Sequence, residues 1–218
     1  MSFKPFLVLD LETTGLDVNR AGILQVAAAL VDLDEEKYII ETFNEYLTFS
    51  VNYSPFEDGA FNVDSPPFED GAFKMHLMSG LLKKCIEQGK PFTDVRAQFG
   101  EFVERCYARV GGQLRLTKDR LTVAGYNVGQ FDKAILEIHN FPTQRLSHQC
   151  LEVSSLYMPK FGYVPSSAEI NKHLGLGEVK HDAMEDVIDT IAAIRAALPK
   201  ELPRMDREEQ SLTPIVAT

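Results

Sequence analysis

Residues 6–12 read Phe6-Leu7-Val8-Leu9-Asp10-Leu11-Glu12, and this stretch decides the fold. Leu7, Leu9 and Leu11 alternate with Phe6, Val8, Asp10 and Glu12, the period of two that a β-strand imposes. Thr13-Thr14-Gly15 then ends the strand in a turn. Residues 23–33 (ILQVAAALVDL) and 38–49 (YIIETFNEYLTF) read as two more strands, joined by the polar Asp34-Glu35-Glu36-Lys37. So tight a connection favours an antiparallel meander. The chain therefore opens with three consecutive strands rather than a strand–helix–strand unit.

Outward from that meander, residues 77–88 and 93–110 read as helices. In the second, Phe99, Phe102, Val103 and Tyr107 recur at helical spacing behind Thr93 as the expected N-cap. Residues 121–126 read as a strand feeding a helix at about 128–139, with Asn127 at the junction, and another strand fits within 148–156. Ser166-x-x-Glu169 has capping-box form and starts a short helix ending near Gly175. A last helix over about 182–198 places Val187, Ile191, Ile194 and Leu198 on one face. Strands first, then strands alternating with helices, give an α/β domain. Its mixed sheet has about five strands, the first three antiparallel, flanked by helices.

The expected organisation is one domain over 1–198 with an inserted loop at about 50–75 and a mobile tail over 199–218, where Pro199, Pro203 and Pro214 cluster. The loop holds a duplication: Pro55-Phe56-Glu57-Asp58-Gly59-Ala60-Phe61 recurs as Pro67-Phe68-Glu69-Asp70-Gly71-Ala72-Phe73. Two short copies make no solenoid, so a duplicated surface loop is expected, with a phenylalanine-rich flap beside the active site as the alternative.

The 218 residues are 44% apolar and 25% charged, ordinary globular usage, with a net charge of −10. That balance argues against a broad duplex-DNA binder, whose footprint is basic, but admits an enzyme that grips a few phosphates through metal ions. Cys85, Cys106 and Cys150 form no close pair, which suits a reducing compartment, and the expected location is cytoplasmic. The opening MSFKPFLVLD does not read as a signal peptide, and no apolar run approaches a membrane span.

Chemistry enters with Asp10 and Glu12. Two apart on a strand, they point to one face at its C-terminal end, where open α/β sheets place their sites. Two close carboxylates repel unless a cation joins them, although such a pair alone also describes a solvated strand end. Asp132 falls in the first turns of a helix whose core face is Phe131, Ile135 and Ile138; alone, it would merely favour the helix dipole. Asp186 shares a stripe with the small Ala183, Thr190, Ala193 and Ala197, so its helix can approach the sheet closely. His181 stands at the mouth of that helix, and histidine is the side chain that changes charge near neutral pH. Together, four carboxylates on three elements are hard oxygen ligands suited to Mg²⁺ or Mn²⁺, and a pair of such ions can clamp a phosphoryl displacement.

These residues resemble the DEDDh family of 3′–5′ exonucleases within the ribonuclease H-like superfamily. Leu9-Asp10-Leu11-Glu12-Thr13-Thr14-Gly15-Leu16 is similar to the first exonuclease motif, Gly125 through Asp132 to the second, and His181-x-Ala183-x-x-Asp186 to the third. The resemblance implies that Asp10, Glu12, Asp132 and Asp186 hold two divalent cations and that His181 takes a proton from the attacking water. It implies Thr13, Thr14, Leu16, His76, Asn127 and Phe131 as substrate-binding residues. The implied substrate is a single-stranded DNA or RNA 3′ end, and the implied product a nucleoside 5′-monophosphate; a homodimer or a polymerase partner is compatible with it. Met75-His76-x-x-Ser79-Gly80-Leu81 and Val128-Gly129-Gln130 are similar to oligoribonucleases, whereas Thr13 and Phe131-Asp132 look more like proofreading-type DNA exonucleases.

Three rivals remain. His181-Asp182 suggests an HD-type phosphohydrolase, but the other histidines lack ligand spacing and the chain begins with strands. His173-Leu174-Gly175-Leu176-Gly177 lacks the third glycine of a dinucleotide fingerprint. A catalytically silent nuclease-fold module that binds nucleic acid or a polymerase should have lost at least one acid or the histidine, and none is missing.

Overall fold

The computed structural model describes residues 3–48, 68–110 and 120–198. Five strands form one sheet in the order β3-β2-β1-β4-β5. β1 (Phe6–Thr13), β2 (Ile23–Val31) and β3 (Ile39–Tyr46) make the antiparallel meander. β4 (Leu121–Gly125) and β5 (Leu146–Glu152) add in parallel beyond β1. The mixed α/β architecture read from the sequence is the observed one.

β1 lies mid-sheet, and its alternation feeds two cores. Leu7, Leu9 and Leu11 pack in one layer with Phe99, Phe102 and Val103 of α3 (Phe92–Val110) and Ile135 and Leu136 of α4 (Asp132–Ile138). Phe6 and Val8 pack in the other with Val187, Ile191 and Ile194 of α7 (Ala183–Ala197). Burying each of these large side chains contributes about 1.5–3 kcal/mol. Ala27 and Ala29 of β2 meet Ala183 and Ala193 in the α7 layer, so small side chains on both surfaces let helix and sheet approach closely. Asp10 and Glu12 continue the Phe6–Val8 face and so project on the α7 side.

Several boundaries differ from the sequence reading. The helix expected over 77–88 is two, α1 (Asp70–Ser79) and α2 (Leu81–Gln88). Gly80 divides them at φ 78°, a left-handed conformation that glycine adopts without a Cβ clash. Because α1 begins at Asp70, the expected loop is helical at its end; residues 49–67, with the first heptapeptide copy, lie outside the described residues, as does the expected tail. Thr93 is not the N-cap of α3: the Pro91 carbonyl accepts from the amides of Asp94 and Val95, and the Thr93 hydroxyl turns to the Asp94 carboxylate. The helix expected from 128 starts only at Asp132, because Asn127 is left-handed at φ 54° and its carbonyl accepts from the Gln130 and Phe131 amides. β5 begins at Leu146 and yields at Val153 to α5 (Val153–Phe161), which buries only Val153 and Tyr157 and contains Pro159, too weak a periodicity to read. α6 (Ser167–Leu174) has the expected Ser166–Glu169 capping box and ends at Gly175. No helix of the described residues is long and apolar enough to cross a membrane.

Candidate active site

The parallel pairing of β1 with β4 covers Phe6 to Val8, after which β4 ends at Gly125 and the chain turns into α4. Leu11 thus lies past that pairing, and its amide donates to Asp132 Oδ1 at 2.9 Å. That bond fixes the first residue of α4 beside the strand bearing Asp10 and Glu12. From the opposite layer, α7 brings Asp186. One carboxylate oxygen from each of Asp10, Glu12 and Asp186 lies within 4.8 Å of the others, so two elements converge on one cup. Asp132 stands just behind it, close enough for its charge to act on Asp10 and Glu12.

The cup is electrostatically unbalanced. Burial, then the charges of Asp132, Glu12 and Asp186, hold the Asp10 carboxyl well above the usual carboxylate range. Burial, then Asp186, Asp182 and Asp132, push Glu12 up to about 8. Burial also raises Asp132, against the Leu11 amide that steadies its charged form. Asp186 is raised by burial too, and is moderated by the Lys180 amide at 3.3 Å and by nearby His181. Among the described residues no lysine or arginine forms a salt bridge with these four groups. A crowded, largely buried set of hard oxygen donors that no lysine or arginine of the described residues neutralises is a donor set that fits a divalent cation.

His76 of α1 is fully buried, and its Nε2 lies 2.7 Å from the Thr13 carbonyl. With the proton on Nε2, the Nδ1 lone pair faces Glu12 Oε2 at 3.7 Å and has no hydrogen-bond partner. Burial lowers the His76 pKa. His181 precedes α7 at φ 53°, and its charge acts on both Asp186 and His76.

The substrate-binding residues implied by the family resemblance divide by accessibility. Leu16 is 78% exposed, and Asn127 is exposed at the turn into α4. Phe131 is half-buried and packs on the α3–α4 core. Thr13 is buried and its hydroxyl donates to the Gly15 carbonyl, so it shapes the turn. Thr14 is fully buried with its hydroxyl accepting from the Gly22 amide, and the His76 ring is enclosed. Both hold the backbone of the site.

The sequence reading missed the group that seats α7. Asp182, its N-cap, accepts at Oδ1 from the amides of Met184 and Glu185 and from Gln25 Nε2, at 3.2–3.3 Å. Its Oδ2 takes Lys84 Nζ at 2.6 Å and the Tyr46 hydroxyl at 3.2 Å. Gln25 Oε1 accepts from the Ala183 amide at 3.0 Å, and Gln25 pairs with Glu12 across the sheet. A lone glutamine inside the apolar ILQVAAALV run was the available signal.

No protein-family model matches the chain, and no curated protein matches it. Solved structures do. E. coli exonuclease I in complex with a dT13 oligonucleotide superposes with a TM-score of 0.54 at 21% identity, over 89% of this chain and 41% of that one. The fold is ribonuclease H-like. The zinc-bound form of the E. coli exonuclease I–single-stranded DNA complex gives 0.52 at 21% identity, over 88% and 40%. A 3′-exonuclease that recognises the histone mRNA stem-loop gives 0.55 at 14% identity, over 90% of this chain and 81% of its own. The chain spans about two-fifths of the length of exonuclease I, and the likeness concerns the ribonuclease H-like architecture.

Proposed function

We propose that the protein is a metal-dependent 3′–5′ exonuclease that hydrolyses the terminal phosphodiester of single-stranded DNA or RNA and releases nucleoside 5′-monophosphates. The observation that carries this reading is the meeting of Asp10, Glu12 and Asp186 oxygens within 4.8 Å at the end of β1. Its support is the likeness to structures of exonucleases holding single-stranded DNA or recognising RNA.

Asp10, Glu12, Asp132 and Asp186 would hold two divalent cations, Mg²⁺ or Mn²⁺. Such ions, when bound, supply Lewis acidity to the attacking water and to the departing 3′-oxygen. His181 accepts a proton from that water as its oxygen adds to the terminal phosphorus, and the bond to the 3′-oxygen breaks. Asp182 and its partners hold the loop that carries His181. Leu16 and Asn127, both exposed, would face the terminal nucleotide. A single-stranded end suits a chain with a net charge of −10, since duplex binding calls for a basic track.

The test is a 5′-labelled oligonucleotide incubated with Mg²⁺ or Mn²⁺. Stepwise shortening from the 3′ end, abolished by EDTA and by Asp186→Ala, is the expected result. Internal fragments would overturn the exonuclease assignment. Matched RNA and DNA oligomers decide the sugar.

A further inference from the structure

The second copy of the repeated heptapeptide holds the turn that follows β1. Phe68, Glu69 and Phe73 supply the contacts. Phe68 packs beside Leu24, Leu81, Leu82 and Cys85, and Phe73 meets it edge-on with ring centroids 5.5 Å apart. Between them, the Glu69 amide donates to the Thr14 carbonyl at 2.8 Å. Glu69 Oε1 in turn accepts from the amides of Leu16 at 3.0 Å and Asp17 at 3.3 Å. Backbone and side chain of one residue thus clamp the turn from both ends. Gly15 is part of the fit, because a Cβ there would lie 2.5 Å from the Glu69 carboxyl carbon. The clamped turn starts one residue after buried Thr13 and carries Leu16, 78% exposed.

Successive backbone amides form a concavity that favours an anionic oxygen, and hydrogen bonds to a carboxylate are the stronger kind. We propose that Glu69 is a positioning residue for substrate: its carboxylate fixes the turn that presents Leu16 to the 3′-terminal nucleotide, and this is the role of the second heptapeptide copy. The inference rests on the nuclease reading above. Glu69 touches no reacting group, so its loss weakens substrate binding and spares the chemical step. Its amide counterpart, glutamine, keeps an oxygen that accepts both bonds. Gly15→Ala reaches the same point independently, since its Cβ displaces the carboxylate while leaving Glu69 in the chain.

Cleavage of a 5′-labelled single-stranded oligonucleotide in Mg²⁺ by the full chain is compared for wild type, Glu69→Ala, Glu69→Gln, Gly15→Ala and Glu57→Ala. Thermal melting and amide hydrogen exchange at residues 14–17 run alongside. Glu69→Ala and Gly15→Ala should raise KM about tenfold with kcat within about twofold of wild type. Exchange at Leu16 and Asp17 should quicken, Glu69→Gln should recover most of the KM, and Glu57→Ala should behave as wild type. An unchanged KM for Glu69→Ala in an active enzyme, unchanged exchange at Leu16 and Asp17, or an equal effect from Glu57→Ala overturns the assignment. Wild type that neither cuts nor binds the oligonucleotide removes the nuclease reading itself, whereas the exchange result judges the clamp without any activity.

Discussion

Asp132 and Leu11, 121 residues apart in the chain, are joined by a 2.9 Å hydrogen bond from the Leu11 amide to the Asp132 carboxylate. Both ends of this bond are buried, so Asp132 serves the cup as a charge and the sheet as an acceptor. The two roles separate by mutation. Asp132→Asn keeps an acceptor and removes a charge, and should leave the metal-free protein as stable or more stable while cleavage falls at least about 100-fold. Asp132→Ala strands the amide at a cost of about 1–3 kcal/mol. Chemical denaturation of the two variants in EDTA checks the difference; equal stabilities would remove the structural role.

Stability should depend on pH in a direction opposite to most carboxylate-rich proteins. Glu12 titrates near 4.5 when unfolded and is pushed up to about 8 in the fold, with Asp10, Asp132 and Asp186 displaced the same way. Between those values the native state holds protons that the unfolded chain has lost, so stability present at about pH 4.5 drains away as pH rises toward 8. The expected loss for the cluster is a few kcal/mol. Bound Mg²⁺ favours the ionised carboxylates and should flatten the slope. Melting temperatures from pH 5 to 8, with EDTA and with Mg²⁺, test this; a metal-free protein whose melting point climbs with pH would contradict it.

His181→Ala should keep divalent-cation binding, read by calorimetry, and lose about 10²–10⁴-fold in turnover, the usual contribution of a general base. Turnover equal to wild type would remove His181 from the mechanism.

Gln25 is fully buried and bonds Asn44, Asp182 and Ala183. Gln25→Leu leaves the Ala183 amide without its side-chain acceptor and should cost about 1–3 kcal/mol. Lys84→Met, by contrast, removes a partly exposed ion-pair partner and should cost under about 1 kcal/mol. Denaturant midpoints of the two variants rank them; the reverse order would show that Lys84, not Gln25, seats α7.

Much of this architecture was legible in the chain because β1 alternates strictly and its polar members fall at one end. Asp10 and Glu12 share a face by the geometry of a strand, and Asp186 reaches them because alanines line both α7 and β2. What stayed hidden depends on contacts distant in sequence. The burial of His76 comes from the packing of α1 across the end of β1, and no local pattern reports it. The split at Gly80 is hidden from periodicity, since α1 buries only His76 and carries no apolar stripe, while α2 buries Leu81, Leu82 and Cys85. Glu69 was seen only as part of a repeat, because its use is set by amides 52 and 53 residues earlier.

His181 holds a left-handed backbone conformation at φ 53° immediately before the helix that carries Asp186. Among residues other than glycine, Asn, Asp and His enter that region most readily. Under the proposed mechanism two filters therefore act on a single codon: asparagine or glycine would satisfy the bend and forfeit the imidazole, while bulkier bases would resist the bend. A library randomised at this position should return folded, inert proteins far more often than active ones, with the parental residue alone meeting both demands.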